Sequence, residues 1–241
     1  MKKTLLMAAV ALAAGIISSH AQVYSQNVVG YVNLTVPNGK FALLANQLDT
    51  GSNTLDNVIQ TGTVSSDTTA LYWNGSSFRQ FIYYNSSDSP DGGTGWYDLN
   101  TLAPCTNTLS PSQGIFVHNT SGSAITMTTV GTVLQGTNLV TIAPGFHIYS
   151  LPEPIGGASL DSQNFPAVSS SDTYLKWTGT NYYQLIYYNA ADSPDGGTGW
   201  YDLNTLAYES TNSSVWPPAG GSFFINHSGA AETWTNVFNV Q

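Results

Sequence analysis

The chain has 241 residues, only 8% of them charged, with 14 Asp+Glu against 5 Lys+Arg. That acidic balance argues against nucleic acid and anionic membrane surfaces as partners, since both are held by basic patches. The single cysteine, Cys105, excludes an intrachain disulfide, and so sparse a charge leaves solubility to Ser, Thr, Asn and Gly.

The first residues read MKKTLLMAAVALAAGIISSHAQ. Lys2 and Lys3 precede an apolar run from Leu5 to Ile17, and Ser19-His20-Ala21 offers small residues for cleavage. This predicts a secretory signal peptide over residues 1–21. The run is shorter than the roughly 18 residues a membrane-spanning helix needs, and no Cys follows it to carry a lipid. Its removal takes two of the five basic residues away and leaves no span for membrane insertion. The remainder is long enough for two small domains, each with its own core.

Val28 to Val36, the turn Pro37-Asn38-Gly39 and Phe41 to Leu48 read as strand, turn, strand. Leu55, Val58 and Ile59 are spaced for one short helical turn. Leu71-Tyr72-Trp73 then leads through Asn74-Gly75 to Phe78, a strong hairpin signal. The next stretch orders the whole reading. DSPDGGTGWYDLNTLA, Asp88 to Ala103, recurs letter for letter at Asp192 to Ala207, 104 positions later. Ile82 to Asn85 likewise recurs as Ile186 to Asn189. Within the block, Pro90, Asp91, Gly92 and Gly93 are turn chemistry, and Gly95 to Leu99 resumes as a strand. Ser110 to Gly114 precedes Ile115-Phe116-Val117, Asn119 to Gly122 turns, and Ile125 to Val130 closes the first copy.

The second copy repeats this plan: Asn138 to Ile142, Ala143-Pro144-Gly145, Phe146 to Leu151, then Leu160 and Phe165 in the looser stretch. Its hairpin carries Thr178-Gly179 where the first has Asn74-Gly75, which leaves the turn type there open. It closes with Ser222 to Ile225 and Glu232 to Phe238. Many short strands with turns between them predict an all-β chain, two tandem repeats of a small antiparallel β-sandwich or barrel-like domain. The repeats span residues 22–134 and 135–241. Trp73 and Trp177, one in each hairpin arm, are expected to anchor the two cores.

The pattern resembles a β-module of secreted and surface proteins of bacteria. The residues that carry the resemblance are Gly145-Phe146, Ser150-Leu151-Pro152, Trp177, Pro218, Gly221 and Phe223-Phe224. The first copy matches through Gly39, Phe41, Trp73, Ser110-Pro111 and Gly114-Ile115-Phe116, with Ala45-Asn46-Gln47 in place of Ser-Leu-Pro. The resemblance implies a secreted, cell-surface or periplasmic accessory role in a bacterium, and no activity or site.

Enzyme motifs such as G-x-S-x-G and H-E-x-x-H are absent from the sequence. His118 and His227 fall one register position apart, and His147 has no counterpart. Asp91 and Asp98 are a candidate carboxylate pair for hydrolysis. A strand with Trp96 and Asp98 outward would offer a sugar an aromatic plane beside a carboxylate, and Trp200 with Asp202 would repeat it. The competing register puts the Trp in the core. Asp88, Asp91 and Asp98, with Asp192, Asp195 and Asp202, are candidate calcium ligands, although their spacing matches no specific loop. Arg79 is aligned with Tyr183, so no cation is expected beside the loop in both copies. An outer-membrane barrel fits the short, turn-dense strands poorly. The function these residues predict is a secreted, non-catalytic structural or adhesive protein, with a carbohydrate-binding module as the alternative. Surface polysaccharide or matrix proteins are the expected partners.

Overall fold

The computed structural model describes residues 28–60, 64–166 and 168–239. The predicted leader lies outside them. The described residues are all-β, apart from one four-residue helix, α1 (Leu55–Val58), and two short 3-10 turns at Asp161–Gln163 and Ser213–Val215. No helix among the described residues is long and apolar enough to cross a membrane.

The first half holds β1 (Val29–Val36), β2 (Phe41–Ala45), β3 (Thr69–Trp73), β4 (Phe78–Tyr84), β5 (Gly95–Asp98), β6 (Gly114–His118) and β7 (Ile125–Thr132). The second holds β8 (Gly136–Ile142), β9 (Gly145–Tyr149), β10 (Thr173–Trp177), β11 (Tyr182–Tyr188), β12 (Gly199–Asp202), β13 (Phe223–His227) and β14 (Glu232–Phe238). Each half has a five-stranded antiparallel sheet and a two-stranded ribbon. The sheets run β2-β6-β3-β4-β5 and β9-β13-β10-β11-β12, and the ribbons pair β1 with β7 and β8 with β14. The strand order is the same in both halves, as the sequence period requires.

Alternation decides what each ribbon buries. In β1, Val32 and Val36 face inward, while Val29 and Tyr31 face solvent. In β14, Trp234 is fully buried and its indole N–H donates to the Gln163 carbonyl, 2.8 Å away. The ribbon and sheet of the first half close over Leu55, Phe81, Tyr83, Trp96 and Ile115. Those of the second close over Leu160, Tyr174, Trp200, Phe223 and Trp234.

Both hairpin turns have one geometry, although Thr178 replaces the Asn of the first turn. Gly75 and Gly179 each sit at φ +97°, a conformation that costs glycine nothing. Asn74 Oδ1 accepts the Ser77 N–H, and Thr178 Oγ1 accepts the Asn181 N–H. Either side-chain oxygen spans the same four-residue loop, so the exchange of Asn for Thr leaves the backbone alone.

A third apolar cluster belongs to neither half. Leu43, Phe116, Ile148 and Phe224 are buried in it, with Phe41, Leu71, Trp73, Phe146, Leu175, Trp177 and Tyr182 packed around them. It is a seam where the two sheets meet face to face, and its contacts are reciprocal. Trp73 Nε1 donates to the Phe146 carbonyl (2.5 Å), and Trp177 Nε1 donates to the Phe41 carbonyl (2.9 Å). Ala45 N–H donates to the Gly220 carbonyl, and Ser150 N–H to the Ser112 carbonyl. The expected core anchors Trp73 and Trp177 are therefore seam residues. Trp96 and Trp200 fill the cores, because β5 and β12 point their Trp side inward while the hairpin tips of β3 and β10 extend past the sheet onto the other half.

Candidate functional site

The repeated block opens in a ten-residue excursion, residues 85–94, between β4 and β5. It starts as a tight turn in which Asp88 N–H and Ser89 N–H both donate to the Asn85 carbonyl. Gly92 then takes φ +77°. The chain folds back so that Asp91 Oδ1 accepts both the Gly93 N–H (2.9 Å) and the Tyr97 hydroxyl (2.5 Å). The loop thereby covers the outer side of β5, and Tyr97 is as buried as Trp96. The hydrogen bond from Tyr97 holds the Asp91 carboxyl below its usual range, and the carboxylate in turn pushes the phenol up. Asp195, Gly197 and Tyr201 reproduce every one of these contacts in the second half.

The other carboxylates have separate jobs. Asp88 accepts the Ser66 hydroxyl and Asp192 the Ser170 hydroxyl, which tethers each loop to the turn before β3 or β10. Asp98 Oδ1 accepts the N–H groups of Asn100 and Thr101, and its Oδ2 takes Arg79 at 2.8 Å. The guanidinium bond lowers the Asp98 pKa. The cation is present in the first copy alone: β4 carries Arg79 onto Asp98 across the sheet, a proximity hidden by their 19-residue separation. In the second half Asp202 caps Asn204 and Thr205 in the same way. Tyr183 stands in for Arg79 there, with its phenol raised, mainly by burial and then by the bond to Asp202.

Asp88, Asp91 and Asp98 thus face three different partners, as do Asp192, Asp195 and Asp202. Among the described residues no three His, Cys, Asp or Glu side chains gather where they could hold a metal ion. The outward register for a sugar platform is also corrected. Trp96 is 1% exposed and Trp200 2%, each against the aromatic rings of its own core, so neither indole offers a face to a ligand. Of the proposed ligand-binding pairs, only Asp98 lies partly open, and it is occupied by Arg79.

Sequence reasoning missed two features. One is the buried pair His227–Asp172 at the turn between β13 and β14. His227 Nδ1 lies 2.5 Å from Asp172 Oδ2, and Nε2 lies 2.5 Å from the Ala230 carbonyl. Asp172 also accepts Ser169 N–H, Ser228 N–H and the Ser228 hydroxyl. Serine, aspartate and histidine meet here, but the serine donates to the aspartate and the imidazole is buried with both nitrogens engaged. That is a structural clamp, not the geometry of an activated nucleophile. The 55-residue separation of the two partners concealed it.

The other feature is a pair of clefts at the ends of the seam. In each, the tip of one half's long hairpin overhangs the first strands of the other half. The cleft under the first-half tip is about 340 Å³ and that under the second-half tip about 290 Å³. Their only sequence signal was the pair of hairpin Trp residues, which were assigned to the cores. Comparison with protein-family models, with curated proteins and with solved structures finds no match for this chain.

Proposed function

We propose that the chain is a secreted, non-catalytic β-scaffold with a structural or adhesive role at the bacterial cell surface or in its matrix. The observation that carries this reading is the reciprocal seam. Two similar halves are fixed against each other by an aromatic cluster and by matched Trp N–H and backbone bonds. A rigid body of this kind suits a part that holds position under load. The repeated block, the best-preserved stretch of the duplication, supports it further, since every acidic side chain there has a structural partner. A carbohydrate-binding role is the second reading, and it is favoured by the larger cleft.

The test is retention. The purified chain, without residues 1–21, is incubated with bacterial envelope and extracellular-matrix preparations. The scaffold reading expects saturable retention of intact chain with no change in the matrix. Release of soluble sugar or peptide fragments by the chain would replace this reading with a hydrolase. Absence of retention on every preparation would remove the adhesive role.

A further inference from the structure

The two clefts occupy equivalent places, yet they are lined differently. In the larger, the hairpin tip carries Trp73 and Asn74, Gln113 comes from the loop before β6, and Thr141 and His147 come from β8 and β9. The tip closes directly over the histidine: a Cβ on Gly75 would lie 3.5 Å from the His147 ring. In the smaller cleft, Ala42 stands for His147, Gly221 for Gln113 and Thr178 for Asn74, and Pro217, Pro218 and Phe41 add apolar surface. The seam closes at both ends, so the polar set of the larger cleft is not demanded by packing.

That set has unused hydrogen-bonding capacity. Gln113 spends its Oε1 on the Ser110 N–H. Its amide nitrogen has no hydrogen-bond partner among the described residues. His147 Nε2 donates to the Pro144 carbonyl at 3.0 Å, which in the neutral imidazole leaves Nδ1 as a lone-pair acceptor facing no protein donor. The Thr141 hydroxyl is likewise unpaired among the described residues. Donors and acceptors are both present, and no Lys, Arg, Asp or Glu lines the cleft. An ionised ligand would lose hydration there with no counter-charge to replace it, and the acidic chain repels anions in particular. The Trp73 indole and the exposed Leu139 at the mouth add apolar surface of the kind that packs on a sugar ring. The volume falls at the lower end of the roughly 300–1,000 Å³ of small-molecule sites.

We propose that this cleft binds a neutral carbohydrate, one or two uncharged sugar rings of a glycan chain. Gln113 donates to a sugar oxygen, His147 Nδ1 accepts from a hydroxyl, and Trp73 and Leu139 pack on the ring's C–H surface. The smaller cleft does not share the site, because Gly221 and Ala42 supply neither group. The proposal deepens the adhesive reading and rests on it for its biological use. Binding is measured on soluble sugars, so its failure leaves retention by matrix proteins standing, and loss of matrix retention leaves the sugar result standing.

The experiment is an NMR titration of the chain with cellobiose, maltose, xylobiose and N,N′-diacetylchitobiose at up to about 10 mM, the range of weak single-site affinities. Digalacturonate is the charged control. The expected result is saturable shifts of the Trp73 indole N–H and the Gln113 side-chain amide with at least one neutral sugar and none with digalacturonate. The double variant Gln113→Gly/His147→Ala carries the residues of the smaller cleft, where the fold accepts them. It should weaken binding roughly tenfold or more, as expected for the loss of two hydrogen bonds. The unsubstituted chain's shift map locates the ligand even if the variant folds poorly. Absence of shifts at Trp73 and Gln113 with all four sugars, a perturbation centred elsewhere, unchanged affinity in the double variant, or equal binding of digalacturonate would each overturn the proposal.

Discussion

Asp172 and His227 stand where the first half has Thr68 and Asn119. Asn119 meets the same need without charge: its amide donates to the carbonyls of Val36 and Ser123, and its Oδ1 accepts the Ser121 N–H. His227 faces two acceptors, Asp172 and the Ala230 carbonyl, so only the imidazolium satisfies both. Burial alone would lower its pKa. The bonds to Asp172 and Ala230, with the nearby Asp172 and Glu232 charges, outweigh that and raise it above the ordinary value. A raised histidine stabilises the fold fully below the unfolded pKa of about 6.5, and the contribution is lost as pH rises through the folded pKa. The melting temperature should therefore fall between pH 6 and pH 9. The double variant Asp172→Thr/His227→Asn should flatten that slope, and an unchanged slope in the variant would assign the pH dependence elsewhere.

Glu153 is the opposite case at the same scale. It is fully buried where the first half has Leu48, and Asn138 donates to it where the first half has Val32. Desolvation raises its pKa. A raised carboxyl costs stability above the unfolded value, so the penalty is present at neutral pH and relieved on acidification. Glu153→Gln keeps an acceptor for Asn138 and removes the charge. It should raise the melting temperature at pH 7 and have a smaller effect near pH 4; a lower melting temperature at pH 7 would show that the ionised form is the stabilising one.

At the scale of elements, strand identity and the hairpins were legible in the sequence. Alternation over Val29–Val36 and the Asn74-Gly75 turn are local signals, and α1 was marked by Leu55, Val58 and Ile59. The loop at Asp88–Gly93 was legible as a turn but not as a cover. Nothing local says that Asp91 returns to Tyr97, or that Arg79 reaches Asp98, because those contacts depend on sheet register. The side of the sheet on which Trp73 ends was hidden for a related reason, since an apolar tip reads alike in a core and in a seam. Two predictions belong here. With its carboxylates divided among Ser66, Tyr97 and Arg79, the loop should give the same melting temperature in chelator and in millimolar calcium; a rise of several degrees with calcium, lost in Asp91→Asn/Asp195→Asn, would contradict the assignment. Gly114 lies where an added Cβ would overlap Ser222 Oγ and Ile148 Cγ2 across the seam. Gly114→Ala should cost about 1–3 kcal/mol by chemical denaturation, as overpacking does, and a neutral result would show that the sheets can move apart.

At the scale of the molecule, the period of 104 residues made the internal repeat readable, but not the way the two halves meet. Equivalent residues, Phe41 with Phe146 and Trp73 with Trp177, approach one another's halves as they would in a symmetric dimer. Chain order alone is equally compatible with two beads on a string. The seam makes the halves one body, and both the scaffold reading and the clefts depend on it. Truncation of Trp177 to Ala should cost about 3 kcal/mol, the lower end for a large aromatic, and should loosen both halves because the Phe41 carbonyl loses its donor. The most direct test is differential scanning calorimetry of the chain without residues 1–21, beside Trp73→Ala/Trp177→Ala. A rigid pair predicts one transition for the native chain, with a calorimetric-to-van't Hoff enthalpy ratio of about one, and two separated transitions once both Trp residues are removed. Two independent transitions in the native chain, unmoved by the double substitution, would contradict it.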